Sequence, residues 1–210
     1  MLVAVLSILA FASAVLAILS AYQKRRLTHY LFKPLTVVLI ILIAFQAKHA
    51  TTPFYRQAII AGLIFSLAGD IFLMLPEDRF IPGLVSFLFA HVFYIAAFTR
   101  ESGGALSFWT LVPFLLYGCL MLRVLWPHLG KLKLPVLIYM AVILAMGWTA
   151  AGRRLLTEQG GSLLAFLGAI LFIASDSALA LDKFRGRFRS AQLLILSTYF
   201  TAQWLIALST

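Results

Sequence analysis

Two aspartates, Asp70 and Asp176, sit deep inside apolar stretches of a 210-residue chain that holds only seven acidic residues. Each lies six residues before its stretch ends, which on a helix is roughly 9 Å inside a membrane boundary. A carboxylate in hydrocarbon costs about 2.5–3.5 kcal/mol on insertion scales, so such groups face a bundle interior or a wet cavity. Neither has a cation three or four residues away. The plain reading has each Asp hydrogen-bonding a neighbouring helix. Two acids at matched depth instead predict a shared cavity, where like charges repel and one carboxyl keeps its proton beside an ionised partner. That pairing serves acid-initiated hydrolysis: one group donates a proton and the other activates water.

Other polar residues can join them. His91 and Tyr94 share a face of a following apolar stretch, and the turn at Pro76 to Arg79 predicts an antiparallel pair that brings His91 toward Asp70. Tyr139, together with Tyr199 and Gln203 four residues apart, can line a cavity and touch a substrate, although Tyr is also ordinary at membrane interfaces. Ser175 and Ser177 flank Asp176, and interhelix or backbone bonding is their expected role. Neither lies in a Gly-x-Ser-x-Gly elbow. Lys33-Pro34 is expected to open a span, with Lys33 either snorkelling to head groups or holding a substrate phosphate. The four histidines lack metal-ligand spacing, so no metal site is expected.

Eight apolar elements must position these groups. The chain is 63% hydrophobic and 11% charged, with a mean hydropathy of +1.01. That is too little polar surface to cover a soluble globule. Spans are predicted near Leu2–Tyr22, Leu31–Ala47, Gln57–Leu75, Ile81–Thr99, Ser107–Trp126, Leu134–Ala151, Leu163–Leu181 and Ala191–Leu208. The breaks carry charge, Pro or Gly: Lys24 to Arg26, Pro53, Pro76 to Arg79, Gly103-Gly104, Pro127, Gly160-Gly161, and Asp182 to Arg189. The expectation is one all-α integral membrane domain over residues 1–210. No basic residue precedes the first apolar run, which is therefore read as a retained span rather than a signal peptide.

The net charge of +10 does not indicate nucleic acid, because the basic residues cluster between apolar runs. Twelve of the 17 Lys and Arg fall on one side, which predicts that both termini face away from the cytoplasm. The single Cys119 excludes a disulfide framework. Small-residue faces would pack equally well within one bundle or between subunits.

An internal echo accompanies the acids. An offset of 106 aligns Asp70 with Asp176, Gly62 with Gly168, Ala68 with Ala174 and Leu73 with Leu179. This suggests a parallel four-plus-four repeat. Chance similarity between two apolar helices is the other reading.

The run Ser66-Leu67-Ala68-Gly69-Asp70-Ile71-Phe72-Leu73-Met74-Leu75, the segment Gly83 to Phe98 with His91 and Tyr94, the run Ala174 to Ala180, and the late Tyr199 and Gln203 together resemble the YhhN-like lysoplasmalogenases. The resemblance implies an eight-helix bundle in a lipid bilayer, here a bacterial inner membrane. It also implies a lysophospholipid substrate, no cofactor, and hydrolysis of a lysoplasmalogen vinyl ether to a fatty aldehyde and glycerophosphoethanolamine or glycerophosphocholine. The family's two intramembrane aspartates map onto Asp70 and Asp176. A paired acid and carboxylate fit that reaction, since protonating the outer alkene carbon creates an oxocarbenium ion that needs a negative neighbour. A proton-coupled carrier of a small amphiphile is the alternative, because parallel repeats and midmembrane carboxylates also suit transport. A third reading is a structural protein that uses the aspartates as interhelix glue.

Overall fold

The computed structural model describes residues 1–23, 25–49, 52–75, 79–101, 108–156 and 160–210. Eight helices in it are long and apolar enough to cross a membrane. These are α1 (Leu2–Tyr22), α2 (Arg26–Gln46), α3 (Pro53–Met74), α4 (Phe80–Glu101), α5 (Val112–Leu125, entered through a 3-10 turn at Phe108–Leu111), α6 (Lys133–Leu156), α7 (Gly160–Ala180) and α8 (Ala191–Leu208). Lys24, Pro76, Glu77, Asp78, Gly103, Gly104 and Ser107, named above as breaks or span edges, lie outside the described residues.

Two expectations need correction. The second span begins at Arg26, so Pro34 is interior to α2 rather than in its first turn. A proline there removes one backbone hydrogen bond and bends the helix. The extra turns at the start of α2 carry Lys33 inward, where it is 8% exposed and does not snorkel. Gly160 and Gly161 open α7 instead of breaking the chain.

Helices α1/α2, α3/α4 and α7/α8 form hairpins, and the remaining neighbours repeat with the two halves exchanged. Helix α2 packs on α3 as α6 packs on α7, and α4 packs on α6 as α8 packs on α2. Close packing at the equivalent glycines supports the same relation. A Cβ at Gly62 would lie 2.3 Å from the Tyr94 ring on α4, and one at Gly168 would lie 2.7 Å from Ile206 on α8. Small residues are what let membrane helices approach this closely, because lipid gives no hydrophobic drive for association. This contact pattern is the one that a four-plus-four arrangement would give. The halves are not equal, since α1 also packs on α8 while α5 leans chiefly on α6 among the described residues.

Polar contacts pin the hairpins. Thr36 Oγ1 donates to Ser13 Oγ at 2.8 Å across α1/α2, and Ser86 Oγ donates to the Phe65 carbonyl at 2.7 Å across α3/α4. At the end away from the aspartates, Arg153 is wholly buried. It donates to Glu101 at 2.6 Å and to the Tyr55 hydroxyl at 2.9 Å, tying α6 to α4 and α3. Large apolar side chains such as Ile8, Phe11, Leu116 and Leu120 stay exposed, as a lipid-facing surface requires.

The Gly168 contact yields a stability prediction. Gly168→Val places a branched side chain 2.9 Å from the Ala202 carbonyl oxygen, which no rotamer change relieves. Overpacking of this kind is expected to destabilise by about 1–3 kcal/mol, seen as a lower melting temperature in detergent. An unchanged melting temperature would mean that α7 and α8 are not packed this closely.

Candidate active site

Asp70 lies on α3 one turn before its end and is 2% exposed. Two helices supply its partners. Lys33 Nζ from α2 stands 2.9 Å from Oδ1, and the Tyr199 hydroxyl from α8 donates to Oδ2 at 2.6 Å. Gln203 Nε2 donates to Tyr199 at 3.2 Å, and Tyr94 donates to Gln203 Oε1 at 2.8 Å. Both oxygens of Asp70 therefore accept from charged or oriented donors. These donors replace much of the water that burial removes from the carboxyl group.

Asp176 has a different shell. Tyr139 from α6 donates a short hydrogen bond to its Oδ2, and His91 Nε2 from α4 lies 3.0 Å from that hydroxyl and 3.8 Å from the carboxylate. His91 is fully buried, with its ring edge-on to Phe172 at 4.7 Å. Its Nδ1 has no hydrogen-bond partner among the described residues. The tautomer this favours carries the proton on Nε2 and passes a hydrogen bond through Tyr139 to Asp176. No Lys or Arg pairs with Asp176 among the described residues, and its side chain is 16% exposed.

The two carboxylates line one cavity of about 280 Å³ together with His29, Lys33, Ser175 and Tyr199. Asp176 also lines a second, smaller cavity of about 70 Å³. There it is joined by Tyr139 and by apolar side chains that include Leu84, Phe87, Met121 and Ile143. Asp176 thus stands at the junction between a polar chamber and an apolar pocket.

Three sequence expectations change here. Lys33 supplies Asp70 with a cation from another helix, which scanning along α3 alone could not detect. His91 approaches Asp176 rather than Asp70. Gly69 packs on Phe87 and Gly62 on Tyr94, so Asp70 is level with Ser86 and His91 lies five residues deeper, roughly 7–8 Å along the axis. Tyr94, Tyr139 and Tyr199 are buried rather than interfacial. Tyr94 and Gln203 reach Asp70 only through Tyr199. Ser175 donates to the Ile195 carbonyl at 3.0 Å and lines the chamber, and Ser177 donates to the Ile173 carbonyl at 2.7 Å and meets Tyr117 at 2.6 Å.

The half-chain offset held the missed signal. Position 33 plus 106 is Tyr139, so the same place on α2 and α6 supplies the first donor to each aspartate. The last helix of the opposite half also contributes in each case: Tyr199 on α8 donates to Asp70, and His91 on α4 bonds the Tyr139 hydroxyl and stands 3.8 Å from Asp176. His29, four residues before Lys33, shares its face and also lines the chamber.

Fold and site together define an all-helical integral membrane protein whose interior chamber presents two carboxyl groups, one of them paired with a lysine. The YhhN family model matches residues 28–210, and the chain belongs to that family. It is 30% identical over 199 residues to the uncharacterized membrane protein YhhN of Escherichia coli O157:H7, covering 94% of each chain. It is 40% identical over 156 residues to the lysoplasmalogenase TMEM86A of Bos taurus, covering 72% of this chain and 64% of that one. With the human lysoplasmalogenase TMEM86B the figures are 38% over 157 residues, 74% and 64%. This chain thus spans a little under two thirds of the length of either lysoplasmalogenase. No solved structure matches the chain.

The ion pair makes the site testable without an assay. Lys33→Met strands Asp70 in a buried position and should cost about 3–5 kcal/mol, read as a fall in melting temperature. Adding Asp70→Leu should recover much of the loss. A double variant no more stable than Lys33→Met would show that the two side chains are not paired.

Proposed function

We propose that this protein is a lysoplasmalogenase-like hydrolase of the vinyl ether bond of a lysophospholipid, with Asp176 as the proton donor and Asp70 as the carboxylate. The observation that carries the reading is the position of Asp176 at the boundary between the polar chamber and the apolar pocket. A lysolipid's vinyl ether lies at the same kind of boundary, where the tail joins the polar glycerol. The family membership and the lysoplasmalogenases among the relatives support the same chemistry.

In this mechanism the Asp176 proton, carried on Oδ1, moves to the outer alkene carbon. The electron pair of the double bond forms the new C–H bond and leaves an oxocarbenium ion. Asp70 and the newly ionised Asp176 supply the negative charge this cation needs. Stabilisation is strong in a site shielded from bulk water. Water adds to the oxocarbenium carbon and gives its proton to Asp70. The hemiacetal then collapses: Asp70 returns that proton to the leaving glyceryl oxygen, and the hemiacetal hydroxyl proton restores Asp176. One water is consumed, and a fatty aldehyde and a glycerophosphodiester leave. His91 and Tyr139 hold the Asp176 carboxyl in place, and Lys33 and Tyr199 do the same for Asp70. Burial of these donors fixes their geometry before substrate arrives, which is where much of the rate advantage of such sites arises.

We place the basic end of the bundle at the cytoplasmic face of a bacterial inner membrane, with both termini opposite. The support is the excess of Lys and Arg in the loops at that end.

The test is aldehyde release by purified protein from a 1-alkenyl lysophospholipid. Asp176→Asn and Asp70→Asn should each lower kcat by about 10²-fold or more, the scale of general acid–base contributions. In D2O the aldehyde should carry one deuterium on the carbon next to the carbonyl, and the saturated 1-alkyl ether should not react. Full turnover in either Asn variant would remove that aspartate from the mechanism. Substrate-dependent proton flux without aldehyde would replace the hydrolase by a proton-coupled carrier.

A further inference from the structure

A third cavity, of about 400 Å³, opens at the basic end of the bundle. It is lined by Arg25 and Arg26 at the start of α2, by Arg187 in the α7–α8 connection, and by Ser20, Asp182 and Phe188 among others. It shares His29, Tyr30 and Gln192 with the chamber that holds the two aspartates. Three arginines thus line a cavity that shares a wall with the acid chamber.

The position of Arg187 is built by specific contacts. Helix α7 ends in a widened π-type turn at Leu181–Arg185, and Gly186 follows with φ of +144°, a conformation that side chains oppose. Asp182 Oδ1 accepts from the Phe188 N–H at 3.3 Å and folds the connection back over Arg187. The Tyr22 hydroxyl on α1 then pins the returning strand. It donates to the Arg189 carbonyl at 3.1 Å and accepts from the Leu193 N–H at 3.2 Å. The inner wall is ordered too, because His29 Nδ1 lies 3.0 Å from the Ala17 carbonyl and leaves Nε2 as its other polar atom.

Two helix N-termini meet at this cavity, those of α2 and α8, and neither has an acidic residue in its first turn. The partial positive charge of these helix ends adds to the arginines and favours an anion. Arginine's planar fork suits a phosphate, and three arginines suit one held at the surface. Lys33, which the sequence offers as a phosphate ligand, is already paired with Asp70.

We infer that this vestibule is the subsite for the substrate's phosphodiester group, held by Arg25, Arg26 and Arg187. The inference rests on the lysophospholipid reading above and extends it to head-group recognition. A phosphate anchored here puts the glycerol at the shared His29–Gln192 wall, the ether oxygen near the aspartates, and the tail in the apolar pocket beyond Asp176. Recognition of the phosphate would also reject neutral single-chain amphiphiles, which share the tail alone.

A binding experiment separates this inference from the catalytic reading. Wild-type protein in an uncharged detergent is titrated with a 1-alkyl lysophospholipid, which the proposed chemistry cannot cleave, and with the 1-alkylglycerol of equal chain length. The phosphate-bearing ligand should bind at least about tenfold more tightly, and Arg26→Gln with Arg187→Gln should collapse that ratio toward one. Lysine at both positions should restore part of it. Equal affinity of the two ligands for wild type, or a ratio unchanged in the double variant, would overturn the inference whatever the aldehyde assay gives. A two-chain anionic phospholipid that abolishes the ratio by filling the vestibule would overturn it as well, assigning the arginines to the bilayer's own lipid. Discrimination without aldehyde release would leave the subsite standing and remove the hydrolase.

Discussion

A carboxylate cannot sit in the middle of a membrane unless other groups replace its water. This constraint organises the bundle around Asp70 and Asp176. Asp70 meets it with two full partners, an ammonium on one oxygen and a phenol on the other. Asp176 meets it with a phenol on one oxygen only, backed by a histidine. The donors come from α2, α8, α6 and α4, so each acid ties together helices that the hairpins alone would not join. Side-chain bonds to charged groups are worth roughly twice neutral ones, and more where water is absent. The chamber, the candidate site, is therefore also a fastening for the bundle.

The asymmetry between the two shells is where a structural repeat becomes functional. A faithful duplication would have given both acids the same first donor from the same helical position. Instead position 33 is Lys and position 139 is Tyr, and one acid is charge-paired while the other is not. The residues reaching in from the opposite halves, Tyr199 and His91, differ as well. The two carboxyl groups thus have different surroundings, which is the general way that paired acids divide acid and base duties and is the basis of the roles proposed here.

Much of this was legible in the chain. The hydrophobic runs marked all eight helices, because a membrane span needs a length of apolar residues that little else in a small protein requires. The depth of the two aspartates was legible for the same reason: a polar residue inside such a run is conspicuous. What was hidden lay across helices. Lys33 looked like the edge of a span because Pro34 follows it, and proline ordinarily marks a first turn. In fact the helix begins earlier, at Arg26. The face on which His91 meets its carboxylate depends on how α4 rotates against α3, and that rotation is set by Phe87 and Tyr94 filling the glycine gaps at 69 and 62. No pattern along α4 alone encodes it.

The same physics explains why the acid chamber is stepped away from the membrane surface. In the proposed reaction the site must bring a carboxylic acid to a vinyl ether. Asp176 has no Lys or Arg partner among the described residues and is mostly covered. Complete enclosure would exclude the substrate, however, and the side chain keeps 16% exposure on the chamber and pocket that it joins. Asp70 needs no such access to an alkene carbon, and it is nearly sealed behind Lys33 and Tyr199. The difference in exposure matches the roles proposed for the two groups. The group proposed to touch carbon is the one left reachable, and the group proposed to carry charge and accept a proton from water is the one held in place.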